Sequence, residues 1–176
     1  FGGSGFIGRH VVQRLARAGW TVRVAVRHPT DAAFLKPLGD VGQIVPMRCD
    51  IAKEAEVALA LRGADVAINL VGILYEKGKR RFQALHADAA GRIASMAKSL
   101  GVTTLVQISA LGADASSRSL YAQTKAKGEE LARAAFPEAV ILRPSVVFGP
   151  QDGFFNLFGA MARFSPALPL IGGGNT

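Results

Sequence analysis

The chain begins with Phe1-Gly2-Gly3-Ser4-Gly5-Phe6-Ile7-Gly8, in which glycines at a spacing of three lead straight into an amphipathic segment. Gly2, Gly5 and Gly8 let the backbone turn tightly, leave no Cβ between it and an anion, and allow the following helix to pack closely on a strand. The first N–H groups of that helix, those of Phe6 and Ile7 among them, have no intrahelical partners, and the helix dipole favours negative charge in front of them. A diphosphate is the kind of group such a corner holds. Beyond Gly8, the apolar Val11, Val12, Leu15 and Ala16 recur at helical spacing with Arg9, Gln13, Arg14 and Arg17 between them, Gly19 supplies a stop, and 21–26 reads as a strand. Turn, helix and strand in that order are the setting a dinucleotide fingerprint requires. A βαβ unit also needs a strand ahead of the turn, so the reading expects one upstream of Phe1.

The remainder alternates between the two element types, without internal repeats or low-complexity segments. The pattern predicts strands at 43–48, 65–71, Thr104–Ile108 and 139–142, and helices at Glu54–Leu61, 82–99 and Leu120–Ala135. The 65–71 segment is apolar enough for a strand covered on both faces of a parallel sheet. The expected fold class is therefore α/β, a Rossmann-like doubly wound parallel sheet, with a dinucleotide-binding domain over 1–150. Residues 151–176 read as the start of a substrate-side lobe, the chain leaving the core through Pro166, Pro169 and Gly172-Gly173-Gly174.

Composition narrows the function classes. At 176 residues, 49% hydrophobic and 19% charged, the chain can bury a core, and it contains no apolar run long enough to span a bilayer. A single cysteine, Cys49, has no disulfide partner and reads as a small buried side chain, which fits a reducing compartment and a cytoplasmic location. The net charge of +8 fits an anionic partner; its densest cluster, Lys77, Lys79, Arg80 and Arg81 around Gly78, reads either as a solvated loop or as a face that docks on an acidic partner or an anionic membrane. Nucleic acid is excluded, because the aromatic residues fall in apolar periodic stretches rather than among the basic ones. No metal-ligand cluster is expected.

Cofactor choice turns on the end of the strand after the first helix. An NAD(H) site places a carboxylate about 20 residues after the glycine turn to hold the ribose 2′-hydroxyl. Here the chain reads Ala25-Val26-Arg27-His28, with no carboxylate before Asp31. Arg27 offers a planar guanidinium for a 2′-phosphate, Arg9 a second positive charge, and NADP(H) is expected over NAD(H). Asp50-Ile51 should meet the adenine ring, while Val71 and Gly72, closing the fourth strand, let the backbone pass close to the cofactor. Reaction chemistry is expected at Tyr121 and Lys125, four apart on one helix face, so that the ammonium lies near the phenol and lowers its pKa. Ser109, at the end of the preceding strand, would orient a substrate oxygen.

The glycine turn, Asp50-Ile51, Asn69 to Gly72, Tyr121 with Lys125, and Leu142-Arg143-Pro144-Ser145-Val146-Val147-Phe148-Gly149-Pro150 occur in the order found in the short-chain dehydrogenase/reductase superfamily. The chain resembles its extended or atypical branch, often described as NAD-dependent epimerase/dehydratase. The resemblance implies that Pro144, Ser145 and Val146 line the nicotinamide end. A closer likeness rests on Leu38-Gly39-Asp40-Val41-Gly42-Gln43, Ser119 to Glu129 and Phe136-Pro137-Glu138-Ala139-Val140-Ile141. These stretches are similar to the dehydrogenase-like accessory subunits of respiratory complex I and their bacterial relatives. That likeness implies a structural NADPH and a peripheral place near the quinone-reactive region at the inner membrane. Its partners would be a respiratory-chain complex or an anionic membrane surface. Against the enzyme pattern, Ile108-Ser109-Ala110-Leu111 keeps one hydroxyl and puts Leu111 where a second is common, and His86 stands where many relatives have asparagine. Three readings follow: a nucleotide-binding accessory protein, a working NADP-dependent oxidoreductase or epimerase of unknown substrate, and an NADP(H) redox sensor.

Overall fold

The computed structural model describes residues 1–163 apart from Lys79 and Phe154, with the backbone alone at Phe155, Leu157 and Phe158; the proline and glycine tail at 166–174 lies outside the described residues. The chain forms two compact units, Phe1–Ser145 and Val146–Thr176, against an expected boundary at 150.

The first unit contains α1 (Phe6–Arg17), β1 (Val22–Val26), a 3₁₀ segment (Pro29–Leu38), β2 (Ile44–Arg48), α2 (Glu54–Leu61) and β3 (Val66–Asn69). It continues through a π-helical stretch (Gln83–Asp88) into α3 (Ala89–Ser99), then β4 (Thr104–Ile108), α4 (Leu120–Ala135) and β5 (Val140–Leu142). The described part of the second unit contains α5 (Phe155–Ala162). There Asp152 accepts from the backbone N–H groups of Gly149, at 3.1 Å, and Asn156, at 3.3 Å.

Among the described residues, β-strands pair in parallel. β1 pairs with β2, with Val26 opposite Arg48, and β4 pairs with β3 on one side and β5 on the other. Phe1 and Gly2 join the two groups. Phe1 donates to Ile68 O at 2.8 Å, Leu70 donates to Phe1 O at 3.0 Å, and Gly2 donates to Ala25 O at 3.4 Å. Below that junction lies a cleft of about 630 Å³ between β1 and β3, lined by Val12, Leu15, Val22, Val24, Leu61 and Ala67.

Alternation along β1 shows that the sheet is covered on both faces. Val24 belongs to a core of Val12, Ala16, Ala32, Leu35 and Ile44, from α1, the 3₁₀ segment and β2. The next residue, Ala25, belongs to a second core with Val57, Leu61, Ala67, Ile93, Ala97, Leu105 and Phe136. Successive strand residues point to opposite faces, so the helices flank a doubly wound sheet.

Three elements depart from the sequence reading. The strand expected over 65–71 ends at Asn69, because the Asn69 side-chain oxygen accepts the Val71 N–H at 3.1 Å and takes the chain out of the ladder. The helix expected over 82–99 opens as a π stretch around His86 before settling into α3. The 3₁₀ segment has no counterpart in the sequence reading; Pro29 starts it, and Pro37 within it removes an N–H donor.

Candidate functional site: a nucleotide edge

The glycine corner sits at the C-terminal ends of β1 and β3, where open α/β sheets bind their ligands. Gly2 adopts φ +76°, and a Cβ there would stand 3.1 Å from the Leu70 carbonyl carbon, under strain in any case. At Gly8 a Cβ would collide with the Gly2 carbonyl oxygen and the Gly3 backbone, so α1 can press on the turn only because that atom is missing. Gly5 caps α1 in an extended conformation. The helix has no side-chain cap and no acidic residue in its first turn, which leaves the N–H groups of Phe6 and Ile7 without a competing carboxylate. These features fit a diphosphate.

Around that corner the strand ends supply further polar groups. Arg27, just past β1, is exposed and makes no hydrogen bond or ion pair with the described residues. Arg9 lies with its guanidinium 5.0 Å from the centre of the Phe34 ring. After β2, Asp50 shapes its own loop: its side chain accepts the Ala52 N–H at 3.0 Å, and its N–H donates to Glu56 at 2.7 Å. The bond from that N–H and the bond from Lys53 hold the Glu56 carboxyl below its ordinary range. Arg92 of α3 fixes the next residue by donating to Ile51 O at 2.9 Å. At the ends of β3 and β4, fully buried Asn69 donates to Gln107 at 2.8 Å, and Gln107 donates to Ile108 O at 3.0 Å. Val71 and Gly72 follow directly.

α4 brings Tyr121 and Lys125 to the same edge. Ser119 caps its start by accepting from Ala122 N–H at 3.5 Å. The Tyr121 ring stands edge-on to His86, with centroids 5.2 Å apart, and to Phe82 at 5.7 Å. Lys125 is buried and donates to Ile108 O at 2.8 Å. Burial lowers its pKa to about 8, with Glu129 acting in the opposite direction.

The Tyr121 phenol does not follow the expected lowering of its pKa. The phenol is half-buried and burial pushes its pKa up, while the Lys125 ammonium is directed to the Ile108 carbonyl. Ser109 is brought close, but its buried hydroxyl faces Glu129 and makes no hydrogen bond of good geometry. Its N–H donates to Leu142 O at 2.7 Å, and Leu111 N–H donates to Pro144 O at 2.9 Å, which fixes Pro144 and Ser145 beside the end of β4. Leu111 itself is exposed. Val146 belongs to the second unit.

Several site residues have no local signature. His86 is buried; its Nε2 accepts the Ile73 N–H at 3.0 Å and its Nδ1 lies 3.3 Å from Thr124 Oγ1. Since Thr124 already donates to Leu120 O at 2.8 Å, the imidazole is neutral with its proton on Nδ1, donating to Thr124. Burial and the Lys125 charge bring its pKa down to about 4. Glu129, Arg143, Gln107 and Arg92 likewise act through partners distant in sequence. The spacing of Lys125 and Glu129, four apart on α4, was the one available cue.

The basic loop forms a tight turn, with Lys77 and Arg80 bridged, Gly78 at φ +58° and Arg81 paired with Glu76 at 3.3 Å. Among the described residues no His, Cys, Asp and Glu group could hold a metal ion, and no helix is long and apolar enough to cross a membrane. Cys49 is buried, and burial raises its thiol pKa to about 11, far from a nucleophile's.

The NAD(P)H-binding family model matches residues 2–153. Subunit 9 of the NADH dehydrogenase [ubiquinone] 1 alpha subcomplex, mitochondrial, from Arabidopsis thaliana is 39% identical over 100% of this chain and 44% of its own length. The mouse protein of the same name is 36% identical over 97% of this chain and 45% of its own. A ceramide reductase of Caulobacter vibrioides is 34% identical over 97% of this chain and 52% of its own. The chain thus spans about half the length of the curated relatives it matches. Among solved structures, UDP-glucuronic acid 4-epimerase from Bacillus cereus in complex with NAD superposes with a TM-score of 0.72 over 92% of this chain and 61% of that one, at 22% identity, and so shares the fold. With glycine corner, parallel sheet and family model in agreement, the chain belongs to the NAD(P)H-binding family and is a nicotinamide-dinucleotide-binding domain related to the mitochondrial subunit 9 proteins.

Proposed function

We propose that the domain binds NADP(H) along the C-terminal edge of its strands, and that the nucleotide stiffens an accessory subunit of a respiratory-chain complex rather than being turned over. The glycine corner carries the binding: α1 starts against a turn that only glycine can occupy at Gly8, with no side chain supplied to cap it. Asp50 and Ile51 serve the adenine end, Val71 and Gly72 the middle, and Pro144 and Ser145 the nicotinamide end. Free Arg27, with no carboxylate before Asp31, favours the 2′-phosphate.

A structural role is supported by a phenol whose pKa is raised and by a lysine occupied with a backbone carbonyl. The partner follows from the names of the Arabidopsis and mouse relatives, and a peripheral place at the inner membrane suits a net charge of +8. A second reading, an active reductase using Tyr121, Lys125 and Ser109, draws support from the relative named as ceramide reductase.

Calorimetric titration of the full-length protein with NADPH and NADH tests the preference. NADPH should bind about tenfold more tightly, the order of one charge-assisted contact. Arg27→Ala should remove the difference while leaving the affinity for NADH in place. Tighter NADH binding, with a ratio unmoved by Arg27→Ala, would contradict the assignment. Tyr121→Phe separates the two readings, since it leaves nucleotide affinity intact in both and abolishes turnover only in the enzyme.

A further inference from the structure

The face of α4 that carries Tyr121 and Lys125 carries another ionisable residue one turn on. Glu129 is only 3% exposed, yet Arg143, just past β5, grips it with two parallel bonds, Nε to Oε1 at 2.8 Å and Nη2 to Oε2 at 2.6 Å. Burial alone would raise the Glu129 carboxyl. The two hydrogen bonds from Arg143 and the charges of Arg143 and Arg133 outweigh it and hold the carboxyl below its ordinary range, so Glu129 is anionic at neutral pH.

Lys125 needs such a neighbour. An ammonium has three donors, and its hydrogen bond goes to a neutral carbonyl, Ile108 O. Taking that charge out of water is expensive unless an opposite charge compensates it. The titratable groups around it are Tyr121 and Glu129 on its own helix, His86 on the π stretch and, through Glu129, Arg143 at the end of β5. Tyr121 and His86 are neutral at pH 7, and Arg143 is positive. Glu129 is the anion of the set, and four-residue spacing on a helix puts the two Cβ atoms about 6 Å apart.

We propose that Glu129, fixed in place by Arg143, is the counter-charge that keeps Lys125 protonated at the nucleotide edge. The pair is then a positioning device. The fork also ties α4 to the residue before Pro144 and Ser145, so the charge on Lys125 and the placement of that stretch depend on one contact. The fall of the Lys125 pKa to about 8, with Glu129 working against burial, agrees in direction.

The test reads Lys125 directly. In full-length protein carrying ¹³C-labelled lysine, with Lys125→Met to assign the signal, the Lys125 resonance is titrated by NMR in the absence of nucleotide. The wild-type midpoint should fall near 8, Glu129→Gln should move it down, and Glu129→Asp should return it toward wild type. Glu129→Met removes the same charge and replaces the Gln variant should that one fail to fold. An unchanged or raised midpoint in a folded charge-removing variant would overturn the proposal. A second readout rests on the proposed nucleotide site: the variant's affinity for NADPH should fall several-fold more at pH 8 than at pH 6. If the wild type binds no nucleotide, the site assignment fails while the NMR midpoint still decides the role of Glu129.

Discussion

His86 shows how a residue with an unremarkable setting in the sequence becomes central once the chain folds. Its Nε2 holds the loop after β3 through Ile73, its Nδ1–H reaches Thr124 on α4, and its ring stacks on Phe82 and meets the edge of Tyr121. Both nitrogens are committed, so the imidazole positions Tyr121 and does not carry protons for it. Its folded pKa of about 4 lies below the ordinary 6.5. Between those values the unfolded chain takes up a proton that the folded chain refuses, so stability should fall as pH drops from 6.5 toward 4, by about 3 kcal/mol. Urea unfolding at a series of pH values should show this slope in the wild type and a flatter one in His86→Asn; equal slopes would mean that other groups drive the acid loss. The contacts at this scale explain what a single sequence withholds. His86 and Thr124 lie 38 residues apart, as do Asn69 and Gln107, and no local spacing links either pair. By contrast Gly2 and Gly8 are legible because their reason is local: a turn at positive φ and a helix start too close for a Cβ.

At the scale of elements, the best-read segments are those with strong periodicity or clear punctuation. α4 begins at Leu120 behind its Ser119 cap and ends before Phe136-Pro137, and α2 and β4 also keep their expected bounds. The π stretch is where periodicity fails, because tertiary contact sets the backbone there. At Gly128 a Cβ would collide with the His86 carbonyl oxygen and lie 3.0 Å from its carbon, so α4 and the π stretch meet backbone to backbone. Gly128→Ala must push α4 away from His86, carrying Lys125 and Glu129 with it. Overpacking at a buried contact typically costs about 1 to 3 kcal/mol, and backbone atoms cannot swing aside as a side chain does. A thermal melt should show a fall of several degrees, accompanied by weaker nucleotide binding. An unchanged melt would show that the helix contact is looser than described. Gly101, at φ +75° with open space around it, requires glycine for conformation alone, so Gly101→Ala should cost stability without touching the site.

For the molecule as a whole, the parallel strands place every polar strand end on one edge. The order β2-β1, then Phe1 and Gly2, then β3-β4-β5 sets the glycine corner in the middle of that edge. Arg27 and Asp50 lie to one side, and Gly72, Ser109 and the Tyr121–Lys125 face to the other. The sequence carried the fold class, the corner and the order of strand ends, because glycine spacing and hydrophobic alternation record them. It did not carry the electrostatics of the Tyr121 site, which depend on where the Lys125 ammonium finds an acceptor after folding. The central claim is that the start of α1 holds a diphosphate bridge. A crystal structure of the full-length protein grown with NADPH tests it most directly. The account predicts the diphosphate against the N–H groups of Phe6 and Ile7, with the 2′-phosphate at Arg27; a dinucleotide bound elsewhere, or a protein side chain filling that corner, would contradict it.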